Sequence, residues 1–476
     1  MRKTIQFFVL AMLSFGIIAP GCTNKQEPEK PQEEQPEDQK PEDKPQEEKP
    51  DVKPTVPLLP SFKKVATFPT IIITTDGEIP SKRVNGQFPT VTGYVEFNDP
   101  DGMYSSVKQV KGTMKLRIRG NTSANNPKKG YKIKLDTKSK VFGMKGDKDW
   151  AILAEYSDAT LLRNQVAMQI SRILRMPWTP DCCSAEVTLN GKSIGMYTLI
   201  EHKEVGNSKV QMGDNGFFLE LDDKEEDMGS CERFTTPNYY KVIKFKEPDP
   251  VTAAQVSEVK EFFTTMENTL AANSTSAEFS KYKELMDVDS FIRNFLVQEL
   301  TKNVDGNLRL STPLVLENNQ LRVAMVWDFD LSLGNGEMDG YFPLSGVVSG
   351  TGTGIRNRKA GDGPTGWYIR EAGGRPYGWE NPNKQTGWYQ RMFRDPEFGK
   401  QVKEVWNAAY EELLSVPEFA DALYDLYADA IKREHDIWYY TNYNNRSGKP
   451  KNDYDLMRKF LVDRTEWLNE AINKEY

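Results

Sequence analysis

The sequence predicts an α+β body with a β-rich amino-terminal part and a helical carboxy-terminal part, on three observations. Short runs of β-branched and aromatic residues with period-two alternation recur between Thr70 and Phe245. After Pro250 the apolar spacing becomes that of amphipathic helices. Between Asn303 and Gly336 a hairpin-like insert separates two acidic turns, the first at Asp305 and the second at Asp328 and Asp330.

The chain begins with Arg2 and Lys3 ahead of an apolar run, Ile5 to Ile18, which is too short for a spanning helix and reads as a secretory signal. It ends in Ala19-Pro20-Gly21-Cys22, which resembles a bacterial lipobox. Residues 1–21 are then a signal peptide, and Cys22 is the lipidated first residue of the mature chain, anchored to the membrane by acyl chains. Thr23 rather than Asp follows Cys22, which favours the outer membrane. From Thr23 to Pro54 the sequence is almost entirely Pro, Glu, Gln, Lys and Asp, with 11 acidic and 6 basic residues. Such a segment cannot bury enough surface to offset the entropy of ordering it, so residues 22–55 are expected to be an extended stalk, compatible with surface display.

Residues 56–476 form the expected folded body, long enough for two lobes with cores of their own: a β-rich one over about 56–249 and a helical one over about 250–476. The whole chain carries a net charge of −7, and the body shares in it, so charge offers no argument for binding nucleic acid. Two histidines, His202 and His435, give little support to a His-rich zinc site or a Ser-His-Asp hydrolase. Cys182, Cys183 and Cys231 leave room for one disulfide and at least one thiol.

Strand runs lie at Thr70 to Thr75, Gly93 to Phe97, Lys115 to Arg119 and Tyr131 to Leu135. In the last two, Leu116, Ile118, Tyr131, Ile133 and Leu135 alternate with Lys115, Arg117, Arg119, Lys132 and Lys134. If the two runs pair, five cations share one face, with Lys128 and Lys129 added by the intervening turn. That face either holds phosphates through charge-assisted donors or is an ordinary solvated sheet face. Asn190-Gly191 marks a hairpin whose second strand ends at Glu201. Further strands are expected at Gly216 to Leu221 and Tyr239 to Phe245.

Helices begin with the capping box Thr252 to Gln255, followed by Val256, Val259, Phe263, Met266 and Leu270 at helical spacing. Asp287 or Asp289 caps the next helix, which delivers the chain to Asp305. The apolar run Val323 to Trp327 has the composition of a buried strand leading to Asp328 and Asp330. Carboxylates on turns between rigid elements can hold a divalent cation or orient a hydroxyl, and Asp in a turn is also common for its own backbone hydrogen bonds. A calcium loop starting at Asp328 would place Leu333 where a glycine is needed. Gly350 to Gly366 reads as a glycine-rich insert without the flanks of a phosphate loop, and the chain from Trp388 onward is again helical.

Leu116 to Asp136, Leu162-Arg163-Asn164, the hairpin Leu189 to Glu201, Asn303-Val304-Asp305 and Val326 to Asn335 together resemble the spore-coat CotH kinase family. The resemblance implies an atypical protein-kinase-like two-lobe fold, with ATP and Mg or Mn between a β-rich amino-terminal lobe and a helical carboxy-terminal lobe. On that pattern Asp305 is the catalytic aspartate and Asp328 a metal ligand. Arg119, Lys132 and Lys134 lie on the nucleotide side, with Glu201 as an ion-pair partner. Ordinary kinases place a metal-binding Asn five positions after the catalytic Asp; here that position is Leu310, so Asn307 or Asp330 would have to substitute as a metal ligand. The implied activity is phosphate transfer from ATP to a hydroxyl of a protein, with Ser or Thr as acceptor. The alternative is a kinase-like lipoprotein that serves as a surface binding module for a protein or glycan.

Overall fold

The computed structural model describes residues 62–222, 231–304, 306, 308, 310–335, 363–372, 387–438 and 450–476. The chain divides into Met1–Thr55 and Val56–Tyr476, and every described residue belongs to the second unit. Cys22, Asp305 and Asn307 therefore lie outside the described residues, as do the stalk and most of the glycine-rich insert.

Seven strands close into a barrel: β1 (Thr70–Thr75), β2 (Val91–Asn98), β3 (Gln109–Arg119), β4 (Gly130–Ser139), β5 (Asp147–Leu153), β6 (Cys182–Leu189) and β7 (Lys192–Glu201). Their order is β1-β2-β3-β4-β5-β7-β6, and β1 closes the ring by pairing in parallel with β6. Alternation decides which side chains go inside. Ile73, Phe97, Leu116, Ile118, Ile133, Leu135, Trp150, Val187 and Leu199 fill the interior. Lys115 stands opposite Lys134 and Arg117 opposite Lys132, so the five cations do lie on one outer face.

A second sheet has the order β12-β11-β8-β10-β9, from β8 (Phe217–Leu221), β9 (Arg233–Thr235), β10 (Val242–Glu247), β11 (Thr312–Glu317) and β12 (Gln320–Val323). The hairpin-like insert is β11 and β12, joined through Asn318 and Asn319 at φ 51° and 58°, which Asn tolerates better than most residues. The expected strand Val323 to Trp327 is corrected here. β12 stops at Val323, Ala324 N donates to Pro313 O at 3.0 Å, and the buried run through Trp327 then leaves the ladder. It packs with Ala151, Ile200, Phe218 and Val315 in a small core between the outside of the barrel and the second sheet. This sheet draws strands from both sides of Pro250.

The helices are α1 (Arg163–Ile173), α2 (Ala253–Ala271), α3 (Ala277–Ser280), α4 (Tyr282–Leu285), α5 (Val288–Thr301), α6 (Ile369–Ala372), α7 (Trp388–Met392), α8 (Pro396–Leu413), α9 (Val416–Ile437) and α10 (Pro450–Glu475). The predicted capping box opens α2, with Thr252 N donating to Gln255 Oε1 at 2.9 Å. Asp287 caps α5 by accepting from Ser290 N. One large core joins α1, α2, α5 and the carboxy-terminal helices to the second sheet. No helix among the described residues is long and apolar enough to cross a membrane.

Two expectations for the β3–β4 turn are overturned. Lys128 is buried, pairing with Glu434 of α9 at 2.5 Å, and Lys129 donates to Ala124 O at 2.7 Å. Docking a helix onto the barrel consumes the first, and closing the turn consumes the second. Cys182, Cys183 and Cys231 are all free thiols.

Candidate active site

Two segments interlock beside the barrel. The first, Glu155 to Asn164, leads from β5 into α1, and the second runs from Asp328 to Asn335. Asp158 organises the first by accepting from the backbone N–H groups of Thr160, Leu162 and Arg163 at 2.9, 3.1 and 2.9 Å. Burial raises the Asp158 pKa, but the paired Arg163 guanidinium and these donors outweigh it and hold the carboxyl below its usual range. Arg163 then reaches across, donating through Nε to Ser332 O at 3.0 Å. Asn335 Nδ2 returns to Ser157 O at 2.8 Å.

Asn164 is the centre of the lock. Its Nδ2 donates to Glu155 Oε2 and its Oδ1 accepts from Phe329 N, both at 2.8 Å. The amide thus grips the backbone between Asp328 and Asp330. Burial, and next the charge of Asp158, push the Glu155 carboxyl up to about 7, against the pull of Asn164.

The end of α5 grips the same turn from the other side. Leu333 N donates to Thr301 O at 2.7 Å, Asn303 Nδ2 to Asp328 O at 3.1 Å, and Val304 N to Leu331 O at 3.4 Å. Asn303 and Val304, which directly precede Asp305, therefore lie against the Asp328 turn. Gly306, directly after it, has no room for a side chain: a Cβ there meets Gln298 Oε1 at 2.2 Å and Asn303 Nδ2 at 2.8 Å.

Asp328 itself is exposed and stands on left-handed backbone at φ 69°. Ser311 Oγ approaches its Oδ2 at 3.4 Å, leaving the carboxylate open to a hard cation. Glu155, Leu161, Lys302, Leu308, Ser311 and Leu333 also have positive φ, which concentrates costly conformations around this turn.

The barrel supplies cations. Arg119, at the end of β3, lies 5.7 Å from the Trp327 ring centroid, and among the described residues it makes no hydrogen bond or ion pair. Burial lowers its pKa, and the charges of Asp328, Glu155 and Asp330 oppose that fall; Trp327, whose ring it faces, directly precedes Asp328. Lys203, just after β7, is also 5.7 Å from the Trp327 centroid and pairs with Glu220 of β8. Burial raises the Glu220 pKa, but Lys203, Lys246 and Lys244 outweigh it and bring the carboxyl down to about 2. Burial first, then Lys132, Arg119, Lys203 and Lys209, keep the His202 pKa well below its usual value.

Lys132 and Lys134 share one carboxylate, Asp149 of β5, at 2.7 and 3.7 Å. Glu201 is not their partner. It follows Leu199 on the interior side of β7 and accepts from Asp181 N at 2.8 Å, and burial foremost pushes its carboxyl up to about 7. Asp147, Asp149 and Glu204 gather closely enough for a metal, but the Lys209 ammonium sits among them, pairing with Glu204 and standing 3.3 Å from Asp147 Oδ2. That trio already has its cation.

Sequence reasoning missed Asp149, Glu155, Asp158, Lys203 and Glu220. Charge alternation along Asp147-Lys148-Asp149 offered a signal for the first, and the others gave none apart from lying near quoted motifs.

The fold and the interlocked turns define a mixed α+β protein that presents an open carboxylate, held by strained backbone, next to an unpaired guanidinium. The CotH kinase protein family matches residues 116–468, and the chain belongs to that family, which marks it as kinase-like. None of the curated proteins compared with the chain matches it.

Proposed function

We propose that this chain transfers a phosphoryl group from ATP to a hydroxyl acceptor, with protein Ser or Thr as the acceptor class. The observation that carries the reading is the Asp328 turn, gripped by Asn164, Arg163 and Asn303, with Arg119 beside it. Asp328 and Asp330 hold the divalent cation, with Asn307 as a further ligand by family pattern. Their carboxylates suit a hard cation, and the open Asp328 gives it an entry. A bound Mg or Mn neutralises charge on the transferred group. Arg119 holds a phosphate oxygen through its free donors, and Asp305 accepts the proton of the attacking hydroxyl. Calorimetry of ATP binding to the mature chain in detergent, with and without magnesium or manganese, tests this. Metal-dependent binding is expected. Absence of nucleotide binding, together with a protein or glycan ligand retained by Asp305→Asn, would replace the enzyme with a surface binding module.

The site works at the cell envelope, tethered through Cys22 and the stalk, most simply at the outer membrane. Cys22→Ser is expected to release the protein from membranes or leave its signal uncut. Unchanged partition into membranes and unchanged acyl labelling would refute the anchor.

A further inference from the structure

We infer that Lys203, aimed by Glu220, is the lysine that contacts the nucleotide phosphates, in place of Lys132 and Lys134; this rests on the nucleotide reading above. Phosphoryl transfer needs a cation on the phosphates and a carboxylate that keeps it aimed. The family pattern gives these roles to the β4 lysines and Glu201, but the geometry separates them. Lys132 and Lys134 both lean on Asp149, while Glu201 lies on the interior side of the barrel wall. Two other lysines nearby are spent: Lys209 is buried among Asp147 and Glu204, and Lys244 is buried against Asp222 at 2.9 Å.

Lys203 is placed differently. It leaves the barrel after β7, and its ammonium lies as close to Trp327 as Arg119 does, 5.7 Å from the ring centroid in each case. Trp327 directly precedes Asp328, so the two cations flank the residue that leads into the acidic turn. The Lys203 side chain keeps 18% of its surface exposed and spends one donor on Glu220, which leaves two of its three for a ligand. Glu220 is 4% exposed and also has Lys246 at 3.7 Å. Because Glu220 stands on the second sheet and Lys203 on the barrel, the pair fixes the ammonium with respect to both walls.

The test uses the full mature chain in detergent with magnesium, comparing ATP with adenosine by calorimetry and following each variant's melting. Lys203→Met is expected to weaken ATP binding by about tenfold to a hundredfold, the loss of one charged hydrogen bond, and to leave adenosine nearly unaffected. Lys203→Arg should restore most of the ATP affinity, and Lys132→Met should lose less than Lys203→Met. The double variant Lys203→Met/Glu220→Gln leaves no buried carboxylate unpaired and serves if the single variant does not fold; it should show the same selective loss of ATP. Equal losses for ATP and adenosine, or ATP binding as tight as in the unmodified chain, would overturn the role of Lys203 while leaving the nucleotide reading standing. An unmodified chain that binds no nucleotide would remove both.

Discussion

Asp328→Asn is expected to lower magnesium-dependent ATP affinity by about tenfold to a hundredfold, whereas Asp305→Asn should leave that affinity nearly intact and still stop transfer. The two outcomes differ because the residues act at different moments. A neutral amide at 328 supplies less charge to a hard cation, and the turn it sits on stays gripped by Asn164 and Asn303, so the loss is local. In the role proposed for it, Asp305 meets only the acceptor hydroxyl, so its loss should appear in turnover, by roughly a hundredfold to ten-thousandfold. Binding titrations with and without chelator, paired with single-turnover transfer, read the two separately. Identical metal dependence in Asp328→Asn and the unmodified chain would remove Asp328 from the metal site.

Lys128→Met should destabilise the body by about 3–5 kcal/mol, the cost of leaving a buried partner charge uncompensated. Lys128 Nζ contacts Glu434 Oε1 and Met196 O, each at 2.5 Å, and Met196 N donates to the other oxygen of Glu434 at 2.6 Å. Gly195, at φ 91°, makes this approach possible, since a Cβ there would lie 1.9 Å from Glu434 Oε2. Adding Glu434→Gln to Lys128→Met should recover part of the loss, because the amide still accepts from Met196 N without burying a charge. Urea denaturation measures both. A single variant within about 1 kcal/mol of the unmodified chain would mean that the helix docks without the pair.

What was legible in the sequence was local. Alternation over Lys115 to Arg119 and Tyr131 to Leu135 located two paired strands and their cationic face, and Asn190-Gly191 located a hairpin, because a period of two and a turn dipeptide act over a few residues. The quoted motifs also converge, with Asn164, Asn303 and Phe329 meeting at one turn. Illegible features depend on distant partners. Nothing in Thr70 to Thr75 announces a parallel neighbour at Glu186 to Leu189, and nothing in Gly216 to Leu221 announces pairing with Thr312 to Leu316. Charge misled for the same reason. Lys128 looks like a solvated loop lysine until Glu434, from the far end of the chain, is brought against it.

Barrel closure also sets an order of events during folding. As the chain emerges, β2 to β5 can form successive antiparallel pairs with near neighbours, but the parallel seam between Thr70 and Glu186 must wait for β6 and β7. Until then β1 and β5 are open edges, able to pair with another chain. Contacts this distant in sequence slow folding, because the loop must be closed before its contacts repay the entropy. Refolding from urea should therefore protect the β3–β4 amides from hydrogen exchange before those of the β1–β6 seam, with the seam amides protected last within the barrel.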